Sequence, residues 1–260
     1  MQTTNMDTRY QRGFTLVELA IVLVIVGLLI GGILKGQELI ANTRITTTVS
    51  QVKGVEAAAV TFFDTYSATP GDMNNAEDRI PGCGGAATGC QNGNGDGQIN
   101  NIPGVAINAA GENSGFFVVL GMVDLLDGVG TPNGAAWGIG SGVYGAKVSN
   151  AHHFRIGFAN ANGNLTDMQA AAVPRAGHYV TITNIGIGAD VAAGDLALSP
   201  SQALRIDRKY DDGLPLTGSA FGAGPANVDT GCVTANDVAA NYSTANNAQS
   251  CSAMYLRVLG

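Results

Sequence analysis

The feature that most constrains this chain is an apolar run near its start, FTLVELAIVLVIVGLLIGGIL, residues 14 to 34, whose only charged side chain is Glu18. At about 1.5 Å per residue, a helix over this run crosses the roughly 30 Å hydrocarbon core of a bilayer. Arg9, Arg12 and Lys35 flank it. A secretory signal peptide has a shorter apolar core followed by small residues at its cleavage site. Here the small residue, Gly13, comes before the apolar run, and no Ala-x-Ala follows it. A plain signal anchor fits the hydropathy but leaves Glu18 unexplained. A carboxylate in a span costs on the order of 2.5–3.5 kcal/mol at the helix centre, less near the interface, and such residues tend to have a partner.

The residues RGFTLVELAIVLVIVGLL, 12 to 29, resemble the class III signal of type IV pilins and of the pseudopilins of type II secretion. The resemblance implies a basic leader ending in Gly13 and a cut by prepilin peptidase between Gly13 and Phe14. It also implies methylation of the new Phe14 amine, with Glu18 as fifth residue of the mature chain. Thr15, Leu16, Val17 and Leu19 fit the same run. Glu18 stands at i+4 from Phe14, one helical turn from that amine, and could neutralise its own amine or that of a neighbour in a filament. Breaking either member of such a pair leaves an unpaired charge, so the pair would hold register. The partners so implied are further copies of the chain, other pilin-like subunits, prepilin peptidase and the inner-membrane assembly machinery. The implied location is the bacterial inner membrane with the head in the periplasm, then a periplasmic pseudopilus or an extracellular pilus. One departure is the lack of any proline before Pro70; Gly27, Gly31, Gly32 and Gly36 are the only helix breakers in the span.

Four segments follow: leader 1–13, membrane or filament-core helix 14–35, amphipathic continuation 36–67, and globular head 68–260. The continuation rests on Leu39, Ile40, Ile45, Val49, Val52, Val55, Ala59, Phe62, Phe63 and Tyr66, spaced in helical steps until Pro70-Gly71 ends the run. In the head, SGFFVVLGMVDLLDG predicts a helix over 114–126 with Ser114 as cap, and SPSQALRIDRKYDDG a helix from Ser199 or Ser201 to about Asp211. GVYGAKVS, HHFRIGFA, HYVTITNIGI and AMYLRVL read as strands. The expected fold class is α+β: a long N-terminal helix on a small antiparallel sheet within a loop-rich head, the layout of pilins.

Charge and cysteine usage narrow the function. A net charge of −7 supplies no basic face for nucleic acid. The four cysteines, Cys83, Cys90, Cys232 and Cys251, all lie beyond the apolar run and indicate two disulfides in an oxidising compartment. Of the three pairings, sequence proximity favours Cys83–Cys90 with Cys232–Cys251. No Cys-x-x-Cys spacing suggests a metal site instead.

NGNGDGQIN, residues 92 to 100, matches the first half of an EF-hand-type calcium loop. Asn92, Asn94 and Asp96 would offer side-chain oxygens and Gln98 its carbonyl. Pro103 occupies the place of the bidentate glutamate, so Glu112 or another acid would have to complete the shell. Asp207, Asp211 and Asp212 form a second acidic group that reads equally as a helix-ending turn. GSGVYG, 140 to 145, satisfies G-x-G-x-x-G without the strand and helix a dinucleotide site needs. His152 and His153 have no nucleophile beside them, and Trp137 reads as a loop aromatic over the core. No hydrolase, metalloprotease or P-loop motif occurs, so the chain is read as no enzyme. The expected function is a structural subunit of a pilus or pseudopilus; the alternative is a minor pilin or adhesin whose head binds a surface or glycan.

Overall fold

The structure is a computed structural model that describes residues 15–100, 106–107, 111–134, 136–160, 175–191, 196–223, 231–234, 239–245 and 248–260. Its elements in chain order are α1 (Leu16–Tyr66), α2 (Ala76–Arg79), a 3-10 turn (Ala86–Thr88), α3 (Glu112–Met122), β1 (Gly138–Ile139), β2 (Gly142–Val143), β3 (His153–Ala159), β4 (Gly177–Thr183), α4 (Pro200–Tyr210), β5 (Ala220–Ala223) and β6 (Ala253–Leu259). Two compact units divide the chain, Met1–Thr43 and Arg44–Gly260.

In the first unit, every leucine, isoleucine and valine from Leu16 to Leu34 is exposed. This helix passes the length and composition test for a membrane span, and its most apolar window is wholly unburied. In lipid the helix is the form that satisfies all its backbone groups internally.

In the second unit α1 becomes amphipathic. Ile45, Thr48, Val49, Val52, Val55, Ala58, Ala59 and Phe62 are buried, at steps of one and three residues that keep one face inward. The helix ends at Ser67, which takes a left-handed conformation (φ 55°) while its N–H donates to the Phe63 carbonyl at 2.7 Å. Gly71 then turns at φ 84° against the start of α3, where a Cβ would lie 2.4 Å from the Glu112 carbonyl oxygen. Only glycine fits there.

Four strands form one antiparallel sheet in the order β3-β4-β6-β5. Phe154, Ile156, Val180, Ile182, Met254 and Leu256 share a core with the inner face of α1 and with Phe116, Phe117 and Leu120 of α3. Tyr179, Tyr255, Phe221 and Val191 form a smaller cluster. Alternation along the strands thus covers both faces. The pairing of β4 with β6 shifts between His178 and Tyr179: Tyr179 faces Arg257, whereas His178 faces Leu259. On the outer edge, the start of β3 is held by residues 144–146, through Phe154 N–H to the Tyr144 carbonyl (2.8 Å) and Ala146 N–H to the His152 carbonyl (2.9 Å).

The structure departs from the sequence expectations in four places. Helix α3 begins at Glu112, and Ser114 lies inside it with its hydroxyl donating to the Gly111 carbonyl (3.0 Å). It stops at Met122 because Asp124 turns left-handed (φ 57°), bringing the N–H groups of Leu125 and Leu126 onto the Leu120 carbonyl. Of GVYGAKVS, only Gly142–Val143 forms a strand, parallel to β1. Further along, beside the bridge of residues 144–146 to β3, Gln51 of α1 also bonds this backbone, donating to the Gly145 carbonyl (3.0 Å) and accepting from Lys147 N–H (2.9 Å). β4 ends at Thr183, short of NIGI, and β5 arises from a sequence without branched residues. Helix α4 is capped at Ser199, whose side chain accepts from Gln202 N–H while Gln202 accepts from Ser199 N–H, a reciprocal capping box.

Candidate functional site

The N-terminal site is built on the first turn of α1. Thr15 N–H donates to Glu18 Oε2 at 2.8 Å and the Thr15 hydroxyl donates to the same oxygen at 2.9 Å, while Glu18 N–H donates to Thr15 Oγ1 at 3.2 Å. This reciprocal arrangement is a capping box that satisfies orphan donors at the helix start. It holds the Glu18 carboxylate at the positive end of the helix dipole, beside the residue that follows Phe14. One oxygen carries both bonds to Thr15. Gly13 and Phe14 lie outside the described residues.

The loop of the proposed calcium motif is held by two acids. Asp72, just after α1, accepts from Gly95 N–H (2.8 Å) and Gly97 N–H (2.7 Å). Glu112, at the start of α3, accepts from Asn94 N–H (3.0 Å) and Asn100 N–H (2.7 Å). Burial raises the affinity of both carboxyls for a proton, and these N–H bonds act against it. The motif oxygens are likewise turned to N–H donors. Asn92 Oδ1 accepts from Glu77 N–H, Asn94 Oδ1 from Asp96 N–H, and Asp96 Oδ1 from Gln98 N–H. Among the described residues, no three histidine, cysteine or acidic side chains gather as a metal set. The loop closes on protein donors. Glu112 was visible as a completing acid, whereas Asp72 was missed. Its position in PGDM, right after the helix stop, is its only signal.

The remaining candidates are absorbed by structure. His152 bridges Ser149 Oγ (2.7 Å) and the Ala197 carbonyl (3.0 Å), and His153 Nε2 accepts from Arg155 Nε (3.2 Å). Burial pushes His153 down to about 4. Asp212 accepts from Leu214 N–H and the Thr217 hydroxyl, Asp211 from Ser219 N–H, and Asp207 is buried under Tyr242. The glycines at 140 and 142 serve the turn between β1 and β2, and Trp137 lies against Gly142 and Gly89. The structure joins Cys83 to Cys90 and Cys232 to Cys251.

Comparison with known proteins places one segment. Residues 8–34 match the family model of the prokaryotic N-terminal methylation motif. No curated protein and no solved structure matches the chain. The N-terminal segment therefore carries the class III signal of type IV pilins and pseudopilins, a structural motif and not an enzyme class. Proteins bearing this signal are in general processed by prepilin peptidase and assemble with other pilin subunits.

Proposed function

We propose that the chain is a structural subunit of a type IV pilus or type II secretion pseudopilus. It is cut between Gly13 and Phe14, N-methylated at Phe14, and polymerised through α1. The observation that carries this reading is the methylation motif at 8–34 on a helix whose apolar side chains from Leu16 to Leu34 are exposed among the described residues. Such a helix is stable in lipid or against other helices, and a filament core provides the second environment after the membrane has provided the first. Before assembly the subunit sits in the bacterial inner membrane with its head in the periplasm; two disulfides suit that oxidising side.

Glu18 is the register residue. Its capping bonds to Thr15 fix the carboxylate at the head of the helix, where it meets the Phe14 amine of its own chain or of a neighbour. In low dielectric an unpaired charge is costly, so a subunit seats only where the pair closes. The test is Glu18→Ala in cells, with mass spectrometry of the mature chain and fractionation of sheared filaments. The expected result is an N-methylphenylalanine terminus in the wild type, continued cleavage in the variant, and loss of the variant from filaments. Incorporation at the wild-type level would remove the register role, and an uncut chain would remove the whole reading.

A further inference from the structure

The chain contains four Asn-Gly pairs, and three of them, Asn92-Gly93, Asn94-Gly95 and Asn133-Gly134, fall within the described residues. Such a pair can react with itself, because the backbone nitrogen after the asparagine is one ring closure from the side-chain carbonyl carbon. Glycine, with no Cβ, leaves that approach open. The nitrogen attacks only after it has lost its proton and swung toward the side chain. A hydrogen bond given by that N–H opposes both steps and must open first. The three pairs differ in this respect.

At the first two pairs both reacting groups are held. Gly93 N–H donates to the Met73 carbonyl (2.8 Å), and Asn92 Oδ1 accepts from Glu77 N–H (3.0 Å). The backbone there is closely packed, since a Cβ on Gly93 would lie 2.5 Å from Asp72 Cα. Gly95 N–H donates to the Asp72 carbonyl (2.9 Å) and to Asp72 Oδ1 (2.8 Å). The Asn94 side chain is bonded at both ends to Asp96, accepting from its N–H (3.0 Å) and donating to its Oδ2 (2.9 Å). Taking the proton from Gly95 would also set a negative nitrogen against the Asp72 carboxylate.

Asn133-Gly134 is the reverse case. Both residues are exposed. Among the described residues, neither Gly134 N–H nor the Asn133 side chain has a hydrogen-bond partner. One backbone bond closes the turn, from Ala136 N–H to the Asn133 carbonyl (3.1 Å). Gly134 stands at φ 63°, and a Cβ there would meet nothing within 4 Å. The Gly134 nitrogen is therefore open to solvent base, with space around it and no bond of its own to break.

We propose that Asn133 is a site of spontaneous covalent modification, with water as co-reactant, while Asn92 and Asn94 are protected by the fold. The Gly134 nitrogen gives its proton to solvent base and attacks Asn133 Cγ. A C–N bond forms, the bond to the side-chain nitrogen breaks, and that nitrogen takes up a proton and leaves as ammonia. Water then opens the cyclic imide at either carbonyl, giving aspartate or isoaspartate. Nothing is oxidised or reduced; an amide and water become a carboxylic acid and ammonia. The turn gains one negative charge, and the isoaspartate form carries one extra backbone carbon four residues before Trp137. The site does not depend on the filament reading.

The test incubates the full chain in lipid bilayer discs in heavy-oxygen water, at neutral and at mildly alkaline pH, and then digests it in ordinary water. Oxygen label thus records only the hydrolysis that took place in the folded chain. Chymotryptic cuts after Leu126 and Trp137 isolate residues 127–137, whose single asparagine is Asn133. Fragment-ion mass spectrometry places label at Asn92 and Asn94 in their own peptide. The expected result is label at Asn133 that accumulates faster in the alkaline sample, with Asn92 and Asn94 at least about tenfold slower. In the reduced chain unfolded in urea, the three pairs should react at similar rates. Label at Asn92 or Asn94 as fast as at Asn133 in the folded chain overturns the proposal. So does an Asn133 that stays unlabelled while the unfolded chain reacts, or a preference for Asn133 that persists unchanged in urea.

Discussion

Replacing Asp207 with asparagine should change how the stability of the head depends on pH. Asp207 is fully buried, with Oδ2 accepting from the Tyr242 hydroxyl (2.7 Å) and Oδ1 from Gly213 N–H (2.8 Å). Burial, with Asp211 and Asp212 adding to it, pushes its carboxyl from 3.8 up to about 7, against the pull of those two bonds. The folded state then holds the proton about 4 kcal/mol more strongly than the unfolded state does. A raised carboxyl gives stability that is present below pH 3.8 and lost as pH climbs to about 7. The histidines act in the opposite sense. His153 and His178 are pushed down to about 4 by burial, so their contribution grows between about pH 4 and 6.5 and masks Asp207 in the raw profile. The difference between wild type and Asp207→Asn isolates it, because the amide has no proton to lose, still accepts from Gly213, and can donate to Tyr242. Urea unfolding of the full chain in lipid discs, followed by near-ultraviolet circular dichroism, should show the variant gaining about 4 kcal/mol on the wild type between pH 4 and pH 8. A difference that stays within about 1 kcal/mol across that range would refute the assignment.

Two further outcomes are expected. Arg155 is fully buried and donates to the carbonyls of Ala189 (2.7 Å), Gly186 (2.9 Å) and Ile185 (3.1 Å). Arg155→Met should therefore cost roughly 3–5 kcal/mol in urea unfolding, and a loss under about 1 kcal/mol would show that those carbonyls find other donors. Exchanging Cys232 and Cys251 together for serine frees a loop of sequence separation 19 and should cost about 3 kcal/mol; an unchanged midpoint would contradict it.

What was legible in the sequence was local. The helical steps from Ile45 to Phe62, the stop at Pro70-Gly71, the Ser199 cap and the runs that became β3, β4 and β6 each carry their signal within a dozen residues. The N-terminal motif is equally local, since Gly13, Phe14 and Glu18 all fall within residues 13–18. What escaped depends on partners far along the chain. Gln51 holds the backbone at residues 145 and 147, and Asp72 holds glycines at 95 and 97, so neither leaves a periodic trace. β5 has no strand composition and exists because β6 offers it a ladder. The calcium motif was visible but incomplete, and the acids that should finish it are engaged with backbone N–H groups.

The two borders of the sheet have a consequence for a molecule crowded among its own kind. At one border, β3 already lends the start of its backbone to residues 144–146; at the other, β5 spans four of the described residues. A short or occupied stretch of border gives a foreign strand little to grip. At those stretches, heads brought side by side are discouraged from zipping into a continuous ribbon.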